Sequence, residues 1–570
     1  MGKYGLKIRN YEAGSIYEYD LGLRDYYDYQ DAMLTNSLFL DYLYEIGIET
    51  IKDKATRDVI CVEFSYGTRT YDEHMKKLKS MLEIETKKEN QDKEKVEWVK
   101  KRINFIDLNK EKYIKMGTDE IRCNFYQEAI DIEYKIKSSR GIEKTQRIHY
   151  KMLFRTPGKA KNGSCMFINE RLYDKALNFL RMGIKMPDFN APIVEIGAYS
   201  PLVTSTIIDK IKINPKNILI LKDVDSFFET NVVSIETDEK KHCFAKKINK
   251  YKLKNTLFDG QALIDSSIFP KWGNGYVLLR HHFCKMAAFC TNIQRFFKDY
   301  YGDQYLTATV KDMFGNDHYV KDIELITTDN AMKWLKFDIS YEYWCEWVYQ
   351  NNCMFGIVKT AHRSKLGGVQ KMSYQMINAL SMDKMDGVIA KSKEYIELLK
   401  SDTDAFINYL KQNQGFANDY EVLVALYEQD NDFARCEYFR ERKKYIISEY
   451  VKSFKRGKVI QNADNLVIVG SPYAMLLHSV GENVENDDTF KVESGTIQCF
   501  TERFDDGEYL AEFRSPFNSP NNLGYLHNVY HEKFFKYFNL GEQIIAVNMI
   551  GTDFQSRNNG LVKWIGSTEM

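Results

Sequence analysis

The sequence predicts an α+β protein: an accessory region at 1–231, a first β-barrel-like region at 232–337, a helical insert at 338–457 and a second barrel-like region at 458–570. Three observations predict it. Short strand-like runs recur in two separate windows, the first punctuated by Gly260, Gly273, Gly275, Gly302 and Gly315. Between them the apolar spacing changes to that of helices. Finally, 570 residues at 44% hydrophobic and 28% charged suit a globular chain of about three or four domains.

Charge narrows the options. Eighty basic and eighty acidic side chains cancel, which excludes a uniformly basic nucleic-acid wrapper but leaves room for a local basic channel. The ten cysteines form no CxxC pair, so reduced thiols in a cytoplasmic protein are expected. His242-Cys243 and His281-His282 lack a second ligand pair at zinc spacing, so no metal is assigned to them. Residues 1–16 contain no signal-peptide core, Leu6 stands where myristoylation needs Ser or Thr, and no run of ~18 apolar residues offers a membrane span.

In the accessory region, Val59–Phe64 is strand-like, and a charged helical arm is expected at about 74–115. Met75, Leu78, Leu82, Val99 and Ile103 give its broken apolar stripe. Lys and Glu alternate there, so the arm is no basic nucleic-acid helix. Ile132/Tyr134/Ile136 and Ile148/Tyr150/Met152 alternate as strands do. The loop Arg155–Ser164 could bring Lys159 or Lys161 to a phosphate, although a solvated loop explains it as well. Residues 170–212 look helical, and Asn217–Leu221 reads as a buried strand.

The first barrel-like region holds an Asp259-Gly260 turn and, on a following strand, Arg280 and Lys285. Two cations beside a turn suit phosphoryl chemistry, in which charge spreads over phosphate oxygens; alone, Asp-Gly is a turn signal. Lys333 and Lys336 flank Trp334, which suits either a nucleic-acid backbone and base stack or a core Trp ringed by exposed Lys. In the insert, a basic loop with Arg363 and Lys365 precedes an amphipathic stretch containing Gln375, and a long helix ends at Arg456-Gly457. The second region adds a rigid polar turn, Arg514-Ser515-Pro516-Phe517-Asn518, straight after a strand. Its last segment runs through Arg557 to Gly560.

Taken in order, these pieces resemble the two-barrel RNA polymerases: the RNA-silencing RNA-dependent RNA polymerases and their bacterial and phage single-chain relatives. The family's Asp-Gly-x-Gly-x-Ile signature is degraded here to Asp259-Gly260-Gln261-Ala262-Leu263-Ile264, its Ile-Arg with a Lys five residues on is matched by Leu279-Arg280 and Lys285, and Met332–Phe337 resembles its Met-Lys-x-Phe. Tyr374-Gln375 and Phe513-Arg514-Ser515-Pro516 resemble the next two elements, so the match spans roughly 255–560. The resemblance implies two double-psi β-barrels facing each other across a nucleic-acid cleft, and template-directed nucleotidyl transfer using RNA or DNA and nucleoside triphosphates. It makes Lys285 and Arg280 the catalytic cations. Asp259, Gly260, Lys333, Lys336, Arg363, Lys365, Gln375, Arg514, Asn518 and Arg557 become nucleotide or nucleic-acid contacts.

One departure weighs against catalysis. The family follows a Gly with an Asp-x-Asp-x-Asp loop that holds magnesium, whereas Gly560 is followed by Leu561, Val562 and Lys563, with no Asp to the end. Two-metal transfer needs clustered carboxylates, so the Mg2+ expected for the family has no complete site here and the chain alone is expected to be inactive. A truncated polymerase, a second polypeptide carrying the acidic loop, and a degenerate relative that only binds nucleic acid all fit. The alternative from another class is a non-catalytic nucleic-acid-binding or replication-accessory protein.

Overall fold

A computed structural model describes the chain except residues 1–4, 21–25, 64–70, 89–91, 112–128, 138–142, 156–163, 186–192, 363–369, 372–380, 416–417, 514–521, 555–561 and 568–570. It divides into two compact units. The first holds Met1–Lys210 with Arg280–Cys284, and the second holds Ile211–Leu279 with Lys285–Met570.

The first unit is built on a six-stranded sheet of β1 (Leu6–Glu12), β2 (Tyr29–Leu34), β3 (Ala55–Glu63), β4 (Ala129–Lys137), β5 (Glu143–Arg155) and β6 (Ser164–Asn169), ordered β2-β1-β3-β6-β5-β4. Alternation at Ile132/Tyr134 and Ile148/Tyr150 turns those side chains to one face, where they pack on Tyr11, Ile60, Val62 and Phe167. Burying tyrosines requires partners for their hydroxyls. Tyr11 donates to Tyr134 at 3.3 Å, Tyr134 and Tyr150 share a bond of 2.8 Å, and Tyr150 donates to the Arg57 carbonyl. Within the 74–115 window lie two helices, Tyr71–Thr86 and Lys93–Leu108, joined through Met75, Leu78, Val99 and Ile106. The Asp92 side chain caps the second by accepting from the Lys95 amide.

In the second unit the first sheet runs in the order β7-β17-β12-β13-β11-β16-β8. Its strands are β7 (Asp209–Lys212), β8 (Ile218–Leu221), β11 (Gln261–Asp265), β12 (Tyr276–His281), β13 (Cys284–Thr291), β16 (Leu325–Thr328) and β17 (Met354–Thr360). They extend beyond the 232–337 window on both sides. β9 (Asp225–Thr237), which begins before that window, and β10 (Cys243–Thr256) stay out of the sheet and, among the described residues, pair only with each other, as a long ribbon. A small hairpin, β14 (Thr309–Lys311) with β15 (Asp317–Tyr319), also stands apart.

Four helices follow, Met385–Ser401, Thr403–Gln412, Tyr420–Gln429 and Glu437–Lys455, around Leu399, Phe406, Leu410, Phe439 and Ile446. A short pair, β18 (Gln370–Lys371) and β19 (Ile460–Gln461), leads into a closed barrel. The barrel comprises β20 (Ala463–Gly470), β21 (Ile497–Phe500), β22 (Tyr509–Phe513), β23 (Leu523–Asn528), β24 (Ile544–Val547) and β25 (Val562–Ser567), joined in the order β20-β24-β21-β23-β22-β25. β25, which begins two residues after Gly560, pairs with both β20 and β22 and so closes the ring.

The two sheets repeat one threading pattern. If β8, β11, β12, β13, β16 and β17 are numbered one to six, they lie in the order 1-5-2-4-3-6, and β20 to β25 lie in that order too. In each, strand one is parallel to five, five antiparallel to two, and two parallel to four. They share a core in which Phe258, Leu263, Tyr276 and Phe289 meet Val467, Val469, Phe500 and Ile544. At the seam, the Gln261 amide donates to the Gly470 carbonyl at 3.1 Å and accepts from the Gly470 N–H at 2.9 Å.

Candidate nucleotide and nucleic-acid site

Three of the residues singled out in the sequence come together. β11 runs parallel to β13 with Gln261 opposite Ala287, so continuing the register sets Asp259 level with Lys285. The Ala287 amide donates to the Gly260 carbonyl at 2.8 Å, which ties the Asp-Gly turn to β13. Gly260 takes a φ of 69°, a left-handed conformation that favours glycine. Asp259 is exposed, and Lys285 is the one exposed residue of β13. A carboxylate and an ammonium thus flank the start of two parallel strands.

A half-buried acid organises this turn. Asp223 accepts from the Phe258 amide at 3.0 Å, from the Val224 amide at 2.8 Å, from the Asn330 side chain at 2.8 Å and from the Thr328 hydroxyl at 3.1 Å. Burial raises its pKa, while these donors oppose the rise. It joins the end of β8, the approach to Asp259 and the end of β16. Nothing in the sequence marks Asp223 beyond its place just after a buried strand.

Arg280 is only 8% exposed and is grouped with the first unit, which makes it a buried cation rather than an open one. It sits beside the two-residue turn between β12 and β13. There His281 and His282 are fully buried, and His282 meets the Phe179 ring edge-on at 4.4 Å. Burial holds His281 neutral, its pKa lowered to about 3, and lowers that of His282 as well. Trp334 belongs to the core: it is fully buried and stacks on Trp344 at 5.6 Å, so no base can stack on it. Lys333 is half-buried beside it and Lys336 is exposed. Arg363, Lys365, Gln375, Arg514, Asn518 and Arg557 lie outside the described residues, as do Lys159 and Lys161.

The barrel contains an acidic turn that sequence reasoning passed over, Asp505-Asp506-Gly507-Glu508, between β21 and β22. Asn528, fully buried at the end of β23, holds the segment in place. Its side-chain amide donates to the carbonyls of Thr501, Phe504 and Asp505 at 2.8–3.1 Å, and its side-chain oxygen accepts from the Thr501 amide at 2.9 Å. The turn's carboxylates are partly committed to main chain. Asp506 accepts from the Tyr530 amide at 2.8 Å, and Glu508 accepts from the Asp505 amide at 3.3 Å. Among the described residues no three His, Cys, Asp or Glu side chains converge as a metal site.

The exit from β24 is fastened at several points. The Met549 amide donates to the Ser471 hydroxyl at 3.0 Å, the Gly551 amide to the Ser226 hydroxyl at 2.9 Å, and the Asn255 side chain to the Thr552 carbonyl at 3.0 Å. The segment leading to Arg557 and Gly560 thus departs from a fixed point at the base of the ribbon.

No family model and no curated protein matches the sequence. Solved structures do match the fold. One is the RNA dependent RNA polymerase QDE-1 from Thielavia terrestris, with a TM-score of 0.55 and 10% identity over 100% of this chain and 54% of that one. The chain thus spans about half the length of that polymerase and has an RNA-polymerase-like α+β fold. No described helix is long and apolar enough to cross a membrane.

Proposed function

We propose that this chain is the double-barrel core of a template-directed RNA polymerase that has kept its nucleic-acid and nucleoside-triphosphate surfaces without the two-metal centre. The observation that carries this reading is the threading pattern, repeated in two sheets that share a core, within a fold similar to that of an RNA polymerase. On this reading both sheets are of the double-psi type. Lys285, level with the Asp259-Gly260 turn, supplies the exposed cation for a triphosphate or an RNA 3′ end. Lys336 is a backbone contact on an exposed surface, and Arg280 positions the hairpin that leads to Lys285.

The connection from β24 to β25 is where the resemblance requires the acidic loop. Its sequence from Gln555 to Leu561 contains no carboxylate and offers Arg557 and Asn559 instead. Magnesium-bound triphosphate needs anionic oxygen ligands, so no catalytic step is assigned to this chain. We place it in the cytoplasm on its cysteine spacing.

The test is a primer- and template-extension assay with magnesium. The 570-residue protein should give no extension, while binding nucleic acid with a strong dependence on salt. Extension by the unaltered protein would overturn the reading. Insertion of an Asp-x-Asp-x-Asp loop after Gly560 separates the two remaining accounts. Restored turnover marks a degenerate polymerase, and binding without turnover marks a replication-accessory protein.

A further inference from the structure

The β9–β10 ribbon has an exposed surface that the polymerase reading does not use. Its strands pair over twelve residues, from Asp225–Thr256 to Thr237–Cys243, or roughly 40 Å at ~3.4 Å per residue. Hardly any residue of either strand is buried beyond Ser226 and Asn255 at the base. Large apolar side chains stand in solvent: Ile235 at 77%, Val233 at 66%, Phe244 at 47% and Tyr251 at 45% exposure. Among the described residues no other strand pairs with either outer edge.

The two strands differ sharply in charge. β10 carries Lys246, Lys247, Lys250, Lys252 and Lys254 and no carboxylate, whereas β9 carries Asp225, Glu229 and Glu236 and no cation. Three of the five lysines are partly engaged. Lys246 pairs with Glu236 at 3.4 Å, Lys254 with Asp225 at 3.0 Å, and Lys252 lies 4.5 Å from the centre of the Phe227 ring. Lys247 and Lys250 pair with no carboxylate among the described residues. A bulge between Ile248 and Tyr251, with Lys250 at a φ of 51°, redirects the backbone between the two halves of the strand. By the register, Phe244 and Tyr251 present rings on the face that also carries Lys246, while Lys247, Lys252 and Lys254 lie on the opposite face, so rings and most of the cations flank the outer edge of β10 from its two sides.

We propose that the β10 side of this ribbon is a binding surface for single-stranded nucleic acid, with phosphates on the lysines and bases against Phe244 and Tyr251. A single strand lying along that edge has its phosphates on one side and its bases on the other, and cations combined with exposed rings hold single strands irrespective of sequence. The asymmetry decides against a duplex. A ribbon in a major groove meets phosphate walls on both sides, and the carboxylates of β9 would repel one of them. The other account of the lysines is that they guard an unpaired strand edge against aggregation.

The inference rests on the polymerase-core reading only for its expectation that nucleic acid is the partner. The experiment measures binding of a fluorescent 16-nucleotide RNA to the full chain between 50 and 200 mM salt, a probe within the ~4–16 nucleotide range of single-strand sites. Lys247→Glu/Lys250→Glu should weaken binding about tenfold at the midpoint and flatten the salt slope by about 1.4, or ~0.7 for each phosphate no longer neutralised. Glutamates guard an edge as well as lysines do, so a purely protective role leaves affinity unchanged. Glu236→Gln releases Lys246 and should tighten binding about threefold, a gain that misfolding cannot produce. If the wild type binds and neither variant differs from it, the ribbon assignment is overturned and the core reading stands. If the wild type does not bind at 50 mM salt, both fall.

Discussion

The open sheet and the closed barrel thread six strands in one order, yet only the barrel closes. In the barrel, β25 bonds to β22 on one side and β20 on the other. In the sheet its counterpart β17 bonds to β12 and then to β7, an additional strand, so the edge of β8 stays apart. The connection between strands three and four differs as well. It is the two-residue turn His282-Phe283 in the sheet and the stretch 514–522 in the barrel. Pairing order is thus set by the parallel crossovers common to both, while closure depends on a single strand, and that strand is where the two diverge.

The largest effect is expected from removing closure itself. A chain ending at Leu561 loses β25 and leaves the edges of β20 and β22 unpaired. Its second unit should lose cooperative thermal unfolding and self-associate on heating, as seen by calorimetry and light scattering. A barrel that still melts in one sharp transition would mean that its six-strand order holds without closure, as it does in the sheet.

Asn528 and Thr291, each the last residue of strand four, sharpen the comparison. Asn528→Ala removes four side-chain bonds and leaves three carbonyls to find new partners, so it should cost about 3 kcal/mol in denaturant titrations. The Thr291 hydroxyl bonds only to the Phe289 carbonyl, and Thr291→Val should cost about 1 kcal/mol or less. Equal costs would mean that the acidic turn of the barrel is no more tightly built than the end of the sheet.

The smallest effect concerns pH and belongs to the sheet's hairpin alone. His281 is held neutral with a pKa of about 3, below the ordinary value of 6.5. Its contribution to stability is therefore complete above pH 6.5 and is lost as pH falls towards 3, because the unfolded chain takes up the proton first. At pH 5.5 the loss is about 1 kcal/mol for one such histidine. His281→Leu should flatten the slope of unfolding free energy between pH 7 and 5. An unchanged slope would place the sensitivity elsewhere.

Much of this architecture was legible in the sequence. The switch between two-residue and helical spacing marked the strands at Ile132 and Ile148, the helix to Arg456, and the strands at Leu466 and Ile544. The sequence offered a cation beside the Asp259-Gly260 turn, but the register that sets Lys285 level with it was not legible, because it is fixed by strand pairing. The repeated threading was not legible, because pairing order is set by contacts distant in sequence and the two sheets share no recurring residues. The ribbon escaped notice for a related reason. β9 and β10 have the texture of barrel strands, and sequence alone does not reveal that among the described residues they pair only with each other and stand largely exposed. Asp223 and Asn528 are ordinary polar residues until three separate segments bring main-chain groups to them. Trp334 between two lysines read equally as core or as stacking platform, and only burial separates those. Val562–Ser567, with a lysine and a glycine, becomes a strand because β20 and β22 offer it two edges.

The Gln261 side chain imitates a peptide group: its single amide grips both main-chain atoms of Gly470, so one sheet ends in a rung supplied by the other. Such a rivet makes the pair a single stiff beam. A pull on the barrel's first strand is relayed directly to the residue that follows Asp259-Gly260.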